Sequence, residues 1–205
     1  MIDLTALALF ASALFVAAAS PGPGIAAIVA RVLGRGMKGA VAFTAGVALG
    51  DVVWLTVAIL GLAVVAQTFH GVFLAIKYAG VAYLLYLAWK LWTAPVQPHD
   101  GAADTSDVKP MRLFLAGLAV TLGNPKVMVF YLALLPNIIE LAQVSLGGWL
   151  VLSATALSVL AIVFGAYVVL AARTRRLFTS PRAMRLVNRG TGAVMASAAV
   201  AVAAK

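Results

Sequence analysis

The sequence predicts an all-α membrane protein with six transmembrane helices in a 3+3 inverted repeat, with helices one and four broken. Three observations lead to this fold class. The 205-residue chain is 64% hydrophobic and only 10% charged, with a mean hydropathy of +1.07. A soluble domain of this length does not bury that much apolar surface. Six apolar segments are separated by polar loops, and the first and fourth segments carry matched proline motifs.

Each apolar segment is long enough to cross a membrane, because about 20 apolar residues span the hydrocarbon core. The segments run over residues 4–30, 40–66, 70–93, 112–135, 146–172 and 184–203. The connector 94–111 is polar and lacks apolar residues to pack, as a linker does. It divides the chain into two three-helix repeats, 1–93 and 112–205, which we expect to form one transmembrane domain.

Loop charges orient the segments. Twelve of the 15 Lys and Arg residues lie in or beside the loops after segments one, three and five. By the positive-inside rule this side is cytoplasmic, so both termini lie outside. Since each half has three spans, the halves have opposite orientations, as in the inverted repeats of secondary transporters. The net charge of +9 is therefore assigned to topology and not to nucleic-acid binding.

Helix-breaking motifs lie inside segments one and four. They are Ser20-Pro21-Gly22-Pro23-Gly24 and Gly123-Asn124-Pro125-Lys126. Proline removes a backbone donor, and the groups freed at membrane depth need a polar surrounding. The half-helix starting near Gly24 should present N–H groups that suit a carboxylate, and Asn124–Pro125 should do the same in segment four. Matched breaks indicate a substrate site; the alternative is a pair of proline kinks that serve only packing.

Ionisable residues inside the segments are the other site candidates. Asp51 lies near the middle of segment two, where a charge is costly and indicates function. We expect Asp51 to pair with a substrate ammonium or to carry the coupling proton, with a structural ion pair as the alternative. Lys126 would hold a carboxylate or balance Asp51. Lys77 is assigned to ion coupling through a pair with Asp51, or to snorkelling at the interface.

Small and polar residues near these positions have simpler interpretations. Gly46 and Gly50 are four residues apart and should flatten one helix face for close packing. Ser20 and Asn124 would contact substrate or cap their helices locally. The five tyrosines are assigned to packing or to the membrane interface.

The composition excludes several classes of protein. The chain has no cysteine, and its two histidines, His70 and His99, are far apart and form no metal-ligand cluster. No histidine lies near the hydroxyls and lysines that would be nucleophiles, so an enzyme is not expected. No phosphate-binding glycine loop is present. We therefore expect no cofactor, and an ion gradient as the driving force.

Four motifs together resemble the LysE/RhtB family of bacterial amino-acid exporters. They are Ser20-Pro21-Gly22-Pro23, Gly46…Gly50-Asp51, Lys77-x-x-Gly80-x-x-Tyr83-Leu84 and Asn124-Pro125-Lys126. The resemblance covers the whole chain and implies an inner-membrane exporter of amino acids or derivatives, driven by the proton-motive force. It also implies relatives that move metal ions or electrons. The lack of cysteine argues against the thiol–disulfide branch, and the lack of a His/acid cluster argues against the metal branch.

We therefore expect a zwitterion exporter that exchanges substrate for protons. The predicted substrate-binding residues are Ser20, Pro21, Gly22, Pro23, Gly24, Asp51, Asn124, Pro125 and Lys126, and the predicted ion-coupling residues are Asp51 and Lys77. Small neutral substrates are favoured, because only one acid is clearly inside the membrane. The expected partners are an amino acid, protons and the lipid bilayer. A homodimer is a plausible assembly for so small a transporter. Two alternatives stay open: a small-ion or divalent-metal transporter on the same scaffold, and a non-transporting assembly subunit.

Overall fold

The computed structural model describes residues 3–61 and 109–174 continuously, together with shorter stretches and single positions. The latter are residues 78, 82, 85–86, 88–89, 92–93, 185–186, 189–193, 196–197 and 200. Every regular element within the described residues is helical, which confirms the predicted all-α class. Lys77, most of the connector 94–111, and most of the predicted spans three and six lie outside the described residues.

Six α-helices are found in the two continuous stretches. They are α1 (Leu4–Ala19), α2 (Pro23–Arg35), α3 (Ala40–Ile59), α4 (Pro110–Leu122), α5 (Pro125–Val129) and α6 (Leu146–Thr174). A π-helical turn, Phe130–Leu134, and a 3₁₀ turn, Leu135–Asn137, continue α5, and a second 3₁₀ turn, Leu141–Gln143, precedes α6. Two helices of the described part, α3 and α6, are each long and apolar enough to cross a membrane, and the number rises to 4 if each bent pair counts as one span.

The first and fourth apolar segments are broken, as predicted. The axes of α1 and α2 differ by 54°, and that of α4 differs by 56° from the helical stretch Pro125–Asn137. The second part of each broken helix begins with a proline, Pro23 or Pro125. Proline suits the first position of a helix because its missing N–H would have no acceptor within the helix. Both breaks therefore begin a new helix directly.

The third helix ends earlier than the predicted boundary at residue 66. It stops at Ile59, and Gly61 has a φ of +79°. The N–H of Leu60 donates to Thr56 O at 2.9 Å, and that of Gly61 donates to Ala58 O at 3.2 Å. A glycine in the left-handed region satisfies the last carbonyls and ends a helix. Residues 62–66 of the predicted segment lie outside the described residues.

The backbones of α3 and α4 are in close contact. A Cβ on Gly46 would overlap the carbonyl oxygen of Phe114, and one on Gly117 would overlap that of Phe43. The contact is reciprocal, because each glycine follows by three residues the phenylalanine that the other glycine touches. Small residues that let helix backbones approach are typical of membrane helix pairs. The predicted packing role of Gly46 is therefore confirmed.

The same two helices run in the same direction. Gly39 at the start of α3 lies against Leu113 near the start of α4. Gly50 lies against Thr121 near the end of α4, where a Cβ added to the glycine would be 2.5 Å from Thr121 Cβ. Residue numbers thus rise together along the pair. The contact of Gly50 also confirms its predicted packing role.

Side-chain contacts join α6 to α3, and join the described residues of the predicted third and sixth spans to each other. The indole Nε1 of Trp149, near the start of α6, donates to Thr56 Oγ1 near the end of α3 at 2.9 Å. Within the predicted third and sixth spans, the Arg189 guanidinium lies 5.6 Å from the ring centroid of Trp92. The bundle buries a continuous apolar core that includes Phe10, Leu14, Ile28, Leu55, Tyr131, Leu152 and Leu160.

Candidate functional site

A small cavity lies where the two broken helices meet. Its volume is about 40 Å³, and six of the nine predicted substrate-binding residues line it: Ser20, Gly22, Gly24, Asp51, Asn124 and Lys126. The three prolines of the motifs set the breaks without lining the cavity. The rest of the wall is largely apolar and includes Leu14, Ile25, Val47, Phe130, Leu160 and Phe164. The structure thus brings the residues of both motifs and Asp51 to one place.

The carbonyl groups at the end of α1 have side-chain and backbone donors. Ser20 donates to Val16 O through both its N–H, at 3.1 Å, and its hydroxyl, at 2.7 Å. Tyr167 Oη of α6 donates to Ala19 O at 2.8 Å. Lys126 Nζ donates to Ser20 O at 2.6 Å. Donors from the second half of the chain therefore satisfy carbonyls that a break inside a membrane would otherwise leave unpaired.

The start of α2 has N–H groups without an acceptor in their own helix, as the sequence predicted. The first N–H of α2 with an acceptor in its own helix is that of Ala26, which donates to Gly22 O at 2.9 Å. Pro23 has no N–H, so those of Gly24 and Ile25 have no acceptor within the helix. Both of these residues line the cavity. The site therefore includes the positive end of a helix dipole.

The Lys126 side chain lies at this same helix end. A Cβ on Gly22 would lie 3.3 Å from Lys126 Cδ and 3.5 Å from its Nζ. A Cβ at position 22 would therefore be slightly too close to Lys126 Cδ and in ordinary contact with the ammonium group. An ammonium next to a helix N-terminus is a favourable surrounding for an anion.

The second break differs from the expectation of a free helix start. The Asn124 side-chain oxygen accepts the Lys126 N–H at 3.1 Å, and the Asn124 carbonyl accepts those of Val127 and Met128, both at 3.1 Å. The first N–H groups of α5 are thus satisfied by Asn124 itself, as an N-cap does. The Asn124 amide nitrogen instead faces α2, 3.7 Å from a Cβ placed on Gly24. Asn124 joins the two breaks at this point.

Asp51 is a buried residue of the cavity wall. It is 4% exposed and is the acidic residue of the cavity lining, as Lys126 is the basic one. The Lys126 ammonium and the Tyr131 hydroxyl both lie close enough to the Asp51 carboxylate to interact with it electrostatically. Among the described residues, Tyr131 Oη makes no hydrogen bond of standard geometry. Tyr131 is part of the π-helical turn, a feature often found at functional sites.

Polar contacts between α3 and α4 hold the region around Asp51. Thr121 Oγ1 donates to Val47 O at 2.8 Å, and Trp54 Nε1 donates to Thr121 O at 3.3 Å. Thr121 is 1% exposed and also lines the cavity. The helix that carries Asp51 is therefore tied to the second break by two hydrogen bonds as well as by glycine packing.

Sequence reasoning missed the polar roles of Tyr131 and Tyr167. The available signal was a phenol inside a long apolar helix, because a buried tyrosine hydroxyl usually finds a partner. Tyr167 and its acceptor are 148 positions apart, so no local pattern identifies Ala19.

Lys77, the second predicted ion-coupling residue, lies outside the described residues and stays a prediction. Within the described part of the chain, no group of three or more His, Cys, Asp or Glu residues is placed to hold a metal ion.

Comparison with known proteins identifies the family. The sequence profile of the LysE type translocator family matches residues 15–205. The chain belongs to the LysE type translocator family. The predicted resemblance is thus confirmed. The family and the apolar helices together identify the chain as a membrane protein of a transport and efflux family.

Curated relatives are similar over most of their length. The chain is 31% identical to the homoserine/homoserine lactone efflux protein of Salmonella typhimurium over 179 residues, which are 85% of this chain and 84% of the relative. It is 29% identical to the leucine efflux protein of Salmonella choleraesuis over 150 residues, 73% of this chain and 71% of the relative. It is 27% identical to the leucine efflux protein of Klebsiella pneumoniae over 185 residues, 89% of this chain and 87% of the relative. No solved structure matches the chain.

Proposed function

We propose that this LysE-family protein exports small neutral amino acids or their derivatives across the bacterial inner membrane in exchange for protons. The observation that carries the proposal is one cavity lined by a buried carboxylate, an ammonium and a helix N-terminus, namely Asp51, Lys126 and the start of α2. An amino-acid zwitterion has the complementary pair of charges. Homoserine and leucine, named in the relatives, are both neutral amino acids.

The geometry supports one orientation of the substrate. Its carboxylate would lie at the α2 N-terminus, near Gly22, and accept hydrogen bonds from the Lys126 ammonium, which would then be shared with Ser20 O. Its ammonium would meet Asp51. Charge-assisted hydrogen bonds of this kind are about twice as strong as neutral ones, and the low dielectric of a buried site strengthens them.

The remaining wall favours an uncharged substrate side chain. Phe130, Leu160 and Phe164 line the cavity and are 6%, 1% and 5% exposed. A second charge placed against this surface would lack a partner. The volume of about 40 Å³ accommodates only a few water molecules. A side chain as large as that of leucine therefore requires the aromatic wall to move, which favours small substrates in this conformation.

The parallel direction of α3 and α4 supports the 3+3 inverted repeat. The parallel α3 and α4 require the chain to return across the membrane between them, which is the role assigned to the third span. Thus spans one to three (1–93) and four to six (112–205) would have opposite orientations about the linker 94–111. Alternating access would then rearrange the broken helices around the midplane cavity, with the basic loops on the cytoplasmic side and both termini outside.

Proton exchange would use the same carboxylate. Asp51 would bind either the substrate ammonium or a proton, which couples outward substrate movement to inward proton movement. In proteoliposomes with an imposed pH gradient, Asp51→Asn should abolish uphill substrate movement. Unchanged uphill movement by this variant would eliminate Asp51 as the proton carrier.

Counterflow in proteoliposomes tests the substrate class. Vesicles preloaded with an unlabelled neutral amino acid should take up the same labelled amino acid, whereas lysine, glutamate and divalent metal ions should give no exchange. Exchange of a basic or acidic amino acid at the same rate would contradict the apolar pocket. Exchange of a divalent metal would favour the ion-transporting alternative on this scaffold.

A further inference from the structure

The two breaks free equivalent carbonyl groups. Ala19 stands four residues before Pro23, and Thr121 stands four residues before Pro125. In an unbroken helix each carbonyl would accept the N–H of the residue four positions later, but proline has none. Ala19 O therefore needs a donor from elsewhere in the protein, whereas Thr121 O also accepts the Asn124 N–H at 3.0 Å.

An aromatic side chain of the opposite half donates to each of these carbonyls. Tyr167 Oη of α6 donates to Ala19 O at 2.8 Å, and Trp54 Nε1 of α3 donates to Thr121 O at 3.3 Å. In the predicted order of spans, α3 is the second helix of its repeat and α6 is the second of the other. Each hydrogen bond thus joins the first half-helix of one predicted repeat to the second helix of the other.

The helix pairs that these bonds join are packed differently. The backbones of α3 and α4 touch through Gly46 and Gly117. In contrast, α1 contains no glycine, and it contacts the bundle through side chains such as Phe10 and Leu14, which are 0% and 2% exposed. On α6, nothing described lies within 4 Å of a Cβ placed on Gly165. Within the described residues, no reciprocal glycine contact joins α1 to α6 as Gly46 and Gly117 join α3 to α4.

We propose that α1 is the half-helix that moves to open the cavity, and that Tyr167 is the positioning residue that holds it closed. The helices α3 and α4 then form a fixed frame that carries Asp51. Separation of α1 from α6 removes Leu14 from the cavity wall and opens the cavity beside Leu160 and Phe164, which line it from α6. The proposal rests on the transport function above, because it names the element that gives access to that site.

Cysteine labelling tests the proposal, since the chain has no cysteine of its own. Leu160 lines the cavity and is 1% exposed, so a Leu160→Cys thiol reacts with a bulky maleimide only when the cavity opens. In nanodiscs, adding Tyr167→Phe should raise the alkylation rate about fivefold, the population shift that the loss of one hydrogen bond typically produces. Trp54→Phe removes the equivalent bond from the glycine-packed pair and is the matched control. Its alkylation rate should stay within about twofold of the parent.

Amide hydrogen exchange of the unaltered chain provides a second measurement that requires no variant to fold. Amides of α1 should exchange at least about tenfold faster than those of α4, because local opening follows packing density. The proposal is overturned by an unchanged labelling rate in Tyr167→Phe, by an equal increase in Trp54→Phe, or by exchange in α4 as fast as in α1. Neither measurement uses substrate. If the proposed substrate class is wrong, the labelling and exchange results are unaffected. If the proposed role of α1 is wrong, amino-acid counterflow is unaffected.

Discussion

Replacement of Gly46 by alanine should push α3 and α4 apart. The added Cβ would overlap the Phe114 carbonyl oxygen and lie 2.8 Å from its carbonyl carbon, where ordinary contact begins at 3.4 Å. Since the obstructing atoms are backbone, no rotamer change relieves the contact. Such overpacking costs about 1–3 kcal/mol, and the shift would weaken the bond from Thr121 Oγ1 to Val47 O, worth about 1 kcal/mol. Alanine returns about 1 kcal/mol of helix propensity, so the net loss in unfolding free energy is about 2 kcal/mol.

Thermal unfolding of the detergent-purified protein, followed through its four tryptophans, measures this loss. A deficit of this size should lower Tm by about 4–8 °C for a chain of this length. The matched control is Gly165→Ala in α6, where nothing described lies within 4 Å of the new Cβ; its Tm should be unchanged or slightly raised. A Gly46→Ala protein that melts within about 1 °C of its parent, or a Gly165→Ala protein with the same deficit, would refute the close contact as the source of stability.

Two further predictions concern the second break. Lys126→Gln removes the charge at the α2 N-terminus and should weaken amino-acid binding by about tenfold or more, as measured by isothermal titration calorimetry. The control Lys38→Gln removes an exposed loop charge and should leave the affinity unchanged. Equal losses of affinity in the two variants would contradict a specific role for Lys126. Asn124→Ala removes the cap of α5 and should lower Tm by about 2–4 °C, whereas Asn124→Ser keeps a capping oxygen and should recover most of that loss. A Tm deficit as large in the serine variant would show that the cap is not its cause.

The sequence predicted the breaks and their meeting point because strong local rules apply there. Proline at membrane depth has few alternatives to a break, and a lone carboxylate such as Asp51 requires a polar surrounding. Both rules held without knowledge of the tertiary contacts. The close packing of Gly46 was predictable for the same reason, since a small residue in a membrane helix commonly marks an interface.

The donors at each break were not predictable, because they come from distant parts of the chain. Lys126 and Ser20 are 106 positions apart, and composition did not distinguish a lysine that reaches a carbonyl from one that binds substrate. The sequence allowed Asn124 either to contact substrate or to cap its helix. In the structure its side-chain oxygen caps α5 by accepting the Lys126 N–H. The end of α3 depended on one glycine conformation at Gly61, which hydropathy does not detect.

The central claim is that Asp51 binds the ammonium group of an amino-acid substrate. Its most direct test measures the Kd of a transported neutral amino acid and of the same molecule without its ammonium group, for the parent protein and for Asp51→Asn. If the claim is correct, removal of the ammonium weakens binding to the parent by about tenfold or more but changes binding to the variant by less than about twofold, since the two changes remove one interaction. Equal weakening in both proteins would show that the ammonium and Asp51 do not interact, and would contradict the proposed site.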